Sequence, residues 1–319
     1  MASAASADGE DEELLSSAFG CRVTVVTRTR VQSLWAGYGS IDRLTVDGDA
    51  AVPKSVIMKR VSAGRGDGIS HQRKVKSYEV ERIFYQQFSG RTSDACRVPR
   101  LLASSPPTSP NVVLALEDLD ASGWAARRYS LGYEDALACV WWLADFHRTF
   151  LSAEPFAGLW EQGSYWHLAT RPDEHDAMED RDPLKAHAAA IDGLLRGATH
   201  KTLLHGDAKL ENFNFSSAGG GGVSAVDFQY TGAGPGVVDL AYLLSGFPAV
   251  DRYNENEPRL VDAYFSRLDC GADVESEWRA LYPVAIADFQ RFLAGWGGGG
   301  WRRTGKTGEH CARAVAMCN

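Results

Sequence analysis

Short apolar segments rich in β-branched residues follow one another through the first third of the chain, separated by turn-forming residues. Such segments are typical of strands. One segment differs, because its apolar residues recur every three or four positions, which is the spacing of a helix. We therefore predict a helix over residues 77–88 and strands over residues 21–31, 41–46, 55–61, 98–104 and 111–119.

Beyond residue 118 the apolar spacing becomes helical, so the pattern predicts an α+β fold with a small β-rich lobe before a larger helical lobe. Glycine runs at 219–222 and 297–300 are interpreted as a hairpin tip and a loose connector. The predicted helices cover residues 133–151, 183–195, 236–247, 257–268 and 278–296. The predicted domains are a disordered acidic tail (1–12), a first lobe (13–117), a helical lobe (118–296) and a glycine-rich connector with the C-terminal segment (297–319).

The composition excludes several classes of protein. Of the 319 residues, 45% are hydrophobic and 23% are charged, as in an ordinary globular protein. A net charge of −8 argues against a nucleic-acid partner, because phosphate neutralisation requires clustered Lys and Arg. Six scattered cysteines without a CxxC pair favour reduced thiols and no zinc site. With no signal peptide and no apolar run near the roughly 20 residues of a membrane span, we expect a cytoplasmic protein of unknown oligomeric state.

The most informative stretch is LLHGDAKLENFNF at residues 203–215, where polar residues stand between apolar flanks. Polar groups at the edge of a core are either paired or used chemically. Asp207 and Asn212 lie on one short loop, and Asp227 is expected on a strand further along the chain. Two carboxylates and an amide oxygen are hard ligands of the kind that Mg²⁺ accepts.

This set of residues suits phosphoryl transfer from ATP. One carboxylate takes the proton of the attacking hydroxyl, and a second carboxylate with an amide holds the metal that bridges the phosphates. Asp207 is the predicted catalytic base, and Asn212 and Asp227 are the predicted Mg²⁺ ligands. Lys209 would add positive charge near the transferred phosphoryl group. The alternative is that Asp207 and Asn212 only cap turns, as such residues often do.

The order His-x-Asp-x-Lys-x-x-Asn is similar to the catalytic loop of protein kinases, with Asp-Phe-Gln at 227–229 where their Asp-Phe-Gly would stand. The stretch resembles the loop shared by aminoglycoside phosphotransferases, choline kinases and ecdysteroid-kinase-like proteins. The run DFQYTGAGPGVVDLAYLL (227–244) is most similar to the ecdysteroid-kinase-like and related bacterial branch. The resemblance covers roughly residues 20 to 296 and implies a protein-kinase-like, two-lobed fold that uses ATP and Mg²⁺.

A kinase-like fold requires a lysine on its third strand and a helix glutamate that pairs with it. Lys59 lies on the third predicted strand. Ile57 lies on the same face of that strand, where it would form the floor of an adenine pocket. Glu81 falls inside an apolar helical stripe, where a carboxylate is costly unless it is paired, so Lys59 is its predicted partner. The run SYEVERIFY (77–85) is similar to the Ser-x-x-x-Glu-x-x-Phe-Tyr helix of the family.

Two further nucleotide contacts follow from the resemblance. The run AGYGS offers Gly37, Gly39 and Ser40 as a phosphate-covering turn, although the third glycine of GxGxxG is missing. The run LALEDL (114–119) resembles the hinge between the lobes, so main-chain groups from Glu117 to Leu119 would bind the adenine edge.

The leading hypothesis is a small-molecule kinase whose acceptor is an amino alcohol, an aminoglycoside, a steroid or another alcohol. A protein kinase is less favoured, because Gly206 replaces the arginine of His-Arg-Asp and the segment from Asp227 to Asp239 is too short for an activation loop. The second class is a non-catalytic nucleotide-binding or scaffold protein on the same fold. The presence of all the chemical residues argues against it.

Other polar and aromatic residues have simpler interpretations. His205 and Asp239 are expected to brace the loop by hydrogen bonds, and His147 is expected to be a packing histidine. Trp141 and Trp142 are expected in the core stripe of one helix. Six carboxylates within residues 173–182 either rim a cationic substrate or form a solvated loop.

Overall fold

The computed structural model of the chain describes residues 4–34, 37–62, 68–109, 111–151, 156–219, 221–246, 250–297 and 303–319. The chain divides into two compact units, Met1–Gly90 with Val98–Ala126 and Arg91–Arg97 with Arg127–Asn319. The first unit is built on a sheet and the second is mainly helical, as the apolar pattern predicted. The predicted lobe boundary after residue 117 falls inside the first unit.

The five strands predicted for the first unit are present, with ends shifted by up to three residues. The described elements are α1 (Ala4–Phe19), β1 (Thr24–Ser33), β2 (Gly39–Asp47), β3 (Ser55–Ser62), α2 (Ile69–Ile83), β4 (Leu101–Ser104) and β5 (Asn111–Glu117). The strands form an antiparallel sheet in the order β1-β2-β3-β5-β4. Helix α2 starts earlier than predicted and continues into a π-helical turn, Phe84–Phe88.

Successive side chains of β3 point to opposite faces of this sheet. Val56 and Met58 belong to a core cluster that includes Leu15 of α1. Val61, which shares a face with Lys59, clusters instead with Tyr78 of α2. The two helices of the first unit therefore pack on opposite faces of the sheet, and Lys59 lies on the α2 side.

Helix α1 occupies the segment predicted to be a disordered acidic tail, and that prediction is wrong from Ala4 onwards. Its low apolar content and high charge suggested disorder. In the structure Leu15 is fully buried, and the fully buried Asp11 pairs with Arg28 at 2.5 Å and with Arg60. The acidic residues fold because strands β1 and β3 supply the opposite charge.

The second unit contains most of the helices. Its described elements are α3 (Tyr133–Phe150), α4 (Pro172–Asp176), α5 (Pro183–Ala186), α6 (Ala188–Arg196), β6 (Thr202–Leu204), β7 (Phe213–Phe215), β8 (Val223–Ala225), β9 (Gly232–Gly234), α7 (Val237–Ser245), α8 (Tyr253–Leu268), α9 (Ala272–Trp296) and α10 (Gly305–Met317). The helix predicted over 183–195 is split in two at His187. The helix predicted over 236–247 is α7, and Phe247 lies outside the described residues.

Two short strand pairs position the loops of interest. Strand β6 pairs with β9, and β7 pairs with β8, both antiparallel. The polar stretch 205–212 joins β6 to β7, and Asp227 lies between β8 and β9. The predicted hairpin tip joins β7 to β8, with Gly219 and Gly221 at φ +76° and +74°, in the left-handed region that favours glycine.

Residues 298–302 of the predicted glycine-rich connector lie outside the described residues. The C-terminal helix α10 packs on α9 and is tied to α8 by a buried contact of 2.9 Å between His310 Nε2 and Glu257 Oε1. None of the helices in the described part of the chain is long and apolar enough to cross a membrane.

Candidate active site

The loop after β6 is anchored by Asp239 in the first turn of α7. The fully buried Asp239 carboxylate accepts hydrogen bonds from the main-chain N–H of His205 (2.6 Å) and of Gly206 (3.0 Å). Its Oδ2 also lies 3.1 Å from Nε2 of His147, whose Nδ1 contacts the Tyr264 hydroxyl at 2.8 Å. The bracing role predicted for Asp239 and the packing role predicted for His147 are confirmed.

His205 braces the same loop from inside. Its Nδ1 accepts the Asp207 N–H at 3.2 Å, so Nε2 carries the proton that it donates to the Val226 carbonyl at 3.0 Å. Complete burial lowers the pKa of His205, against the opposing charges of Asp239 and Asp227, which favours the neutral ring. The predicted bracing role is confirmed.

Gly206 is needed at its position for steric reasons. Its φ is +82°, and a Cβ there would lie 2.0 Å from the Tyr230 carbonyl oxygen. An arginine like that of protein kinases does not fit this backbone. The absence of that arginine therefore follows from the close approach of the two loops.

Asp207, the predicted base, is 6% exposed. Its Oδ2 accepts the Asn212 Nδ2–H at 3.0 Å and lies 3.1 Å from Lys209 Nζ. Its Oδ1 is buried and has no hydrogen-bond partner among the described residues. Burial raises the pKa of Asp207 to about 7, with Lys209 opposing the rise and the charge of Asp227 adding to it.

Lys209 remains an ammonium ion beside this carboxyl group. Burial acts to lower its pKa, but the charges of Asp207 and Asp227 outweigh burial, and the pKa of Lys209 is raised. The side chain is 37% exposed, so the ammonium group also reaches solvent. Asp207, Lys209 and Asp227 are therefore one electrostatic group, as the sequence predicted.

Asp227 does not lie on a strand, and that prediction is wrong. It follows the end of β8 by two residues and has a φ of +70°, a left-handed conformation that Asp tolerates better than most residues. The Val226 N–H donates to the Asn212 carbonyl at 3.0 Å. Because Val226 directly precedes Asp227, this hydrogen bond joins the backbones beside the two predicted metal ligands.

The donor chemistry of this pair fits Mg²⁺. The Asn212 Nδ2 donates to the main-chain oxygen of Asp207 at 2.7 Å as well as to its carboxylate, so Oδ1 is the amide atom left to face a cation. The described residues contain no cluster of three or more His, Cys, Asp and Glu suited to a metal. A site of one carboxylate and one amide is what Mg²⁺ uses when phosphates complete its shell.

In the first unit the predicted pair of Lys59 and Glu81 is present. Lys59 Nζ lies 2.6 Å from Glu81 Oε2, and the side chains are 6% and 3% exposed. Ile57 lies on the same face of β3 as Lys59, two positions earlier. The pairing inferred from the apolar stripe is confirmed, and the phosphate-binding role of Lys59 stays a prediction.

The predicted phosphate-covering turn has the backbone of a glycine-dependent turn. Gly37 has a φ of +74°, and a Cβ on Gly39 (φ +153°) would lie 1.9 Å from the Arg60 carbonyl oxygen. Ser40 pairs with Arg60 in the sheet, so its side chain lies on the face opposite to Lys59. Its hydroxyl donates to Asp42 Oδ2 at 2.9 Å, so the side chain is already engaged on that face.

The predicted hinge segment is partly engaged. The Glu117 N–H donates to the Arg100 carbonyl at 2.9 Å, and the Leu119 carbonyl accepts N–H groups of Ser122 and Trp124. An adenine ring would therefore use the other main-chain groups of Glu117–Leu119. The sequence interpretation missed Asp118, whose carboxylate binds Arg43 (2.7 Å) and Ser55 (2.5 Å) and fastens this segment to β2 and β3.

The sequence profile of the phosphotransferase enzyme family (APH) matches residues 62–283, well over half of the chain. The chain belongs to this family. No curated protein sequence is significantly similar to it.

Two solved structures of small-molecule kinases are similar in fold to this chain. A microcompartment-associated aminopropanol kinase is 17% identical, with 92% of this chain and 90% of that chain covered and a TM-score of 0.54. An amicoumacin kinase in complex with AMP-PNP, Ca²⁺ and Ami is 13% identical, with 100% and 96% covered and a TM-score of 0.50. These similarities confirm the predicted fold class, α+β and protein-kinase-like, with a β-rich first unit and a larger helical second unit.

For this family member, sequence reasoning missed two residues beside Asp207. The Tyr165 N–H donates to the Gly206 carbonyl at 3.1 Å, and the Tyr165 and Tyr242 hydroxyls are 3.4 Å apart. Burial raises the pKa of both tyrosines, and the charge of Asp207 adds to each shift. Tyr242 lies within the run DFQYTGAGPGVVDLAYLL (227–244), but neither that run nor the sequence around Tyr165 indicated a role for these tyrosines.

The acidic segment is engaged in ion pairs, three of them local and one with the C-terminal part of the chain. Glu174 pairs with Arg171, and Asp182 pairs with Arg303 at 2.6 Å. Asp180 pairs with Lys185 at 2.8 Å, and Glu179 pairs with Arg181 at 2.8 Å. These pairs favour the solvated-loop interpretation over a rim for a cationic substrate.

Of the two tryptophans predicted to lie in the core, only Trp142 is buried. Trp142 is 1% exposed and stacks on Phe146 with ring centroids 4.9 Å apart, as predicted for a core residue. Trp141 is 44% exposed, so its placement in the core stripe was wrong. Adjacent helix positions differ by about 100°, which is enough to turn one ring outward.

Proposed function

We propose that the chain is an ATP- and Mg²⁺-dependent kinase that transfers the γ-phosphate to a hydroxyl group of a small molecule. The observation that carries the proposal is Asp207, a buried carboxyl group with a pKa of about 7 and one oxygen without a hydrogen-bond partner among the described residues. Such a group is suited to accept a proton near neutral pH. Membership of a phosphotransferase family supports the class of reaction.

In this proposal Asp207 accepts the proton of the acceptor hydroxyl while the hydroxyl oxygen attacks the γ-phosphorus. Lys209, an ammonium ion 3.1 Å from Asp207, stabilises negative charge on the transferred group. Asn212 Oδ1 and the Asp227 carboxylate would hold Mg²⁺. When bound, Mg²⁺ neutralises charge on the phosphate oxygens.

The first unit would bind the nucleotide. Lys59 contacts a phosphate, and Glu81, 2.6 Å away, holds the lysine in position on the α2 face of the sheet. This arrangement supports a positioning role for Glu81 and a direct role for Lys59. The remaining proposed contacts are the backbone of the turn (Gly37, Gly39, Ser40), the side chain of Ile57, and main-chain groups of Glu117 to Leu119.

The acceptor is proposed to be an amino alcohol, an aminoglycoside, a steroid or another alcohol, a range that includes cationic molecules. Structural relatives that are aminopropanol and amicoumacin kinases support a small-molecule acceptor. All six cysteines are free thiols, which supports a reducing, cytoplasmic location. At 17% and 13% sequence identity, the similarity to those relatives extends to the fold and does not identify the acceptor.

The proposal is tested first by nucleotide binding. ATP with Mg²⁺ should stabilise the protein against heat more than ATP alone does. At 100 times its dissociation constant, Mg²⁺-ATP should stabilise the folded protein by about 2.7 kcal/mol relative to the ligand-free protein. Asp227→Asn should reduce this Mg²⁺ dependence, because a neutral amide is a poorer ligand for a hard dication. Asparagine also tolerates the left-handed backbone of position 227, so the fold should survive.

Asp176→Asn is the matched control, since the Asp176 side chain is 83% exposed, and its Mg²⁺ dependence should equal that of the wild type. The second test is ADP release from ATP in the presence of a panel of small alcohols. A protein that binds Mg²⁺-ATP but phosphorylates no alcohol would point to a scaffold. A protein without any ATP-induced stabilisation would rule the kinase proposal out.

A further inference from the structure

A cavity of about 520 Å³ lies in the first unit, between one face of α2 and the start of β5. Its lining includes Val75 and Lys76 of α2, Pro107 of the segment that connects β4 to β5, and Val112 of β5. We call it the α2 pocket. Its volume is within the range of sites that bind small molecules.

The inner surface of the α2 pocket is apolar. Val61 and Tyr78 line it, are 3% and 5% exposed, and belong to one core cluster against which Val112 also packs. Val75 adds a half-buried aliphatic side chain from α2. These side chains suit the apolar body of a ligand, because removing apolar surface from water is favourable.

Arg82 holds the two sides of the pocket together. Its Nη1 donates to the Pro106 carbonyl at 2.8 Å and its Nη2 to the Pro107 carbonyl at 3.2 Å, which fastens the β4–β5 connection to α2. Nη2 also donates to both carboxylate oxygens of Glu79, at 2.6 and 2.5 Å. Because Arg82 is 2% exposed and bonded on both sides, the pocket is preformed, and binding would require little further ordering.

The charge of the pocket lining is positive. Glu79 is the only carboxylate among the described lining residues, and Arg82 neutralises it. Lys76 adds an ammonium group at the exposed rim. His71 adds an imidazole ring whose Nδ1 contacts the Tyr38 hydroxyl at 2.6 Å. With the imidazole neutral, the lining carries one more positive charge than negative charges.

The elements around the pocket add to this positive charge. Arg73 and Lys74 lie on α2 beside the lining residues, whereas the carboxylate of Glu81 is held by Lys59. Strand β3, residues 105–109 of the β4–β5 connection and the start of β5 contain no acidic residue. The first turn of α2 also lacks an acidic side chain, so its partial positive charge is not offset there. An anion at the rim would therefore be attracted.

We propose that the α2 pocket binds an amphipathic monocarboxylate. The apolar chain would lie against Val61 and Tyr78, and the carboxylate would lie at the rim beside Lys76. A single negative charge matches the single excess positive charge of the lining. The pocket shares no residue with the proposed nucleotide-binding or catalytic residues, so this inference goes beyond the proposed kinase activity and does not depend on it.

Octanoate and octanamide form a matched pair of probes, because they differ in charge and hardly in shape. Neither is an alcohol, so neither can act as a phosphate acceptor. Isothermal titration calorimetry on the wild-type full chain without nucleotide should give a dissociation constant at least about fivefold lower for octanoate, the upper range for an exposed ion pair. Equal binding of the two probes, or no binding of octanoate, overturns the inference.

Two substitutions at the rim should act in opposite directions. Lys76→Gln should bring the ratio of the two dissociation constants towards one. Glu79→Gln removes the carboxylate that neutralises Arg82, so it should tighten binding of octanoate and leave that of octanamide unchanged. Lys54→Gln is the control, because the Lys54 side chain is 71% exposed and lies outside the lining, and it should keep the wild-type ratio. A folded Lys76→Gln protein with the wild-type ratio would contradict the proposal.

A third substitution tests the location of the bound chain. Val75→Trp places a larger side chain in the pocket and should weaken binding of both probes by at least about tenfold. Gln87→Trp, at an exposed position outside the lining, should bind both probes as the wild type does. Thermal melts establish that each variant is folded, and if Val75→Trp is not, the exposed position of Lys76 still allows a decision. Wild-type affinity in a folded Val75→Trp protein would place octanoate elsewhere and overturn the inference, whereas absence of turnover on any alcohol would count against the kinase proposal alone.

Discussion

Both candidate sites bury charged groups, but they satisfy them differently. In the first unit Lys59 and Glu81 form a pair 2.6 Å apart, each nearly excluded from solvent. In the second unit Asp207 also has a lysine partner, yet its Oδ1 is buried and has no hydrogen bond among the described residues. A closed pair positions a charge, whereas an unsatisfied buried oxygen is costly unless it is used.

The two sites also differ in how they are supported. Lys59 and Glu81 lie on a strand and a helix, so regular backbone hydrogen bonds hold them. Asp207 and Asp227 lie on loops held by side chains: the Asp239 carboxylate anchors the loop of Asp207, and His205 Nε2 contacts the Val226 carbonyl next to Asp227. Chemistry on a loop held by a rigid scaffold is a common arrangement in enzymes. In the proposed kinase, the first unit would position the nucleotide and the second would transfer the proton.

The largest expected effect is at the unsatisfied carboxyl group. Asp207→Asn keeps the shape of the side chain but removes the proton-accepting charge, so turnover should fall by about 100-fold or more. Mg²⁺-ATP affinity should stay close to that of the wild type. Steady-state rates of ADP release on a confirmed acceptor measure the effect, with Asp262→Asn as the control because its side chain is 71% exposed. Full turnover in Asp207→Asn would mean that the loop has been misassigned.

A smaller loss is expected at the closed pair. Lys59→Met removes the proposed phosphate contact and should lower turnover by about 10- to 100-fold, the range for loss of a charged hydrogen bond. Glu81→Gln should act in the same direction but less. Lys54→Met, at a side chain that is 71% exposed, should have no effect. Unchanged activity in a folded Lys59→Met protein would remove the phosphate role of Lys59.

The pH dependence of the rate tests the difference between the Asp207 site and the Lys59–Glu81 pair in a third way. Only the ionised Asp207 accepts a proton, and burial raises its pKa to about 7. The rate constant should therefore rise with pH by about tenfold per unit below this value and level off above it. A pH–rate profile at saturating Mg²⁺-ATP measures this rise of the rate constant below about pH 7. A wild-type rate that does not change between about pH 5 and pH 8 would show that this carboxyl group is not the base.

The smallest expected effect is on stability. Because the pKa of Asp207 is raised from 3.8 to about 7 on folding, its protonation stabilises the folded state fully below about pH 4, and this stabilisation is lost as pH rises through 7. Asparagine does not titrate. Asp207→Asn should therefore melt at least about 2 °C above the wild type near pH 8. The difference should shrink near pH 5, as thermal melts at both pH values would show.

Much of this protein was predictable from local sequence. The order of strands and helices followed from apolar spacing, because side chains alternate on a strand and recur every three to four residues on a helix. The pairing of Lys59 with Glu81 followed from a carboxylate within an apolar helical stripe. The grouping of Asp207, Lys209 and Asn212 followed from short spacing on one loop, which holds in any fold that orders that loop.

Other features depended on contacts between residues far apart in the chain. Helix α1 is ordered because Arg28 and Arg60 neutralise Asp11. The sequence of the acidic segment does not indicate these two partners. The side chain of Ser40 turns away from Lys59 because its sheet register with Arg60 fixes its face.

The surroundings of Asp207 were likewise decided by tertiary structure. Tyr165 and Arg171 reach the catalytic loop through the hydrogen bond from Tyr165 to Gly206, which joins positions about forty residues apart. The raised pKa of Asp207 depends first on burial, a property that the whole packed unit supplies. Local sequence therefore specifies which chemical groups are present and on which element most of them lie. Which of these groups are desolvated, and which residues face them, depends on the packed fold, because desolvation and long-range contacts arise from segments that are distant in the chain.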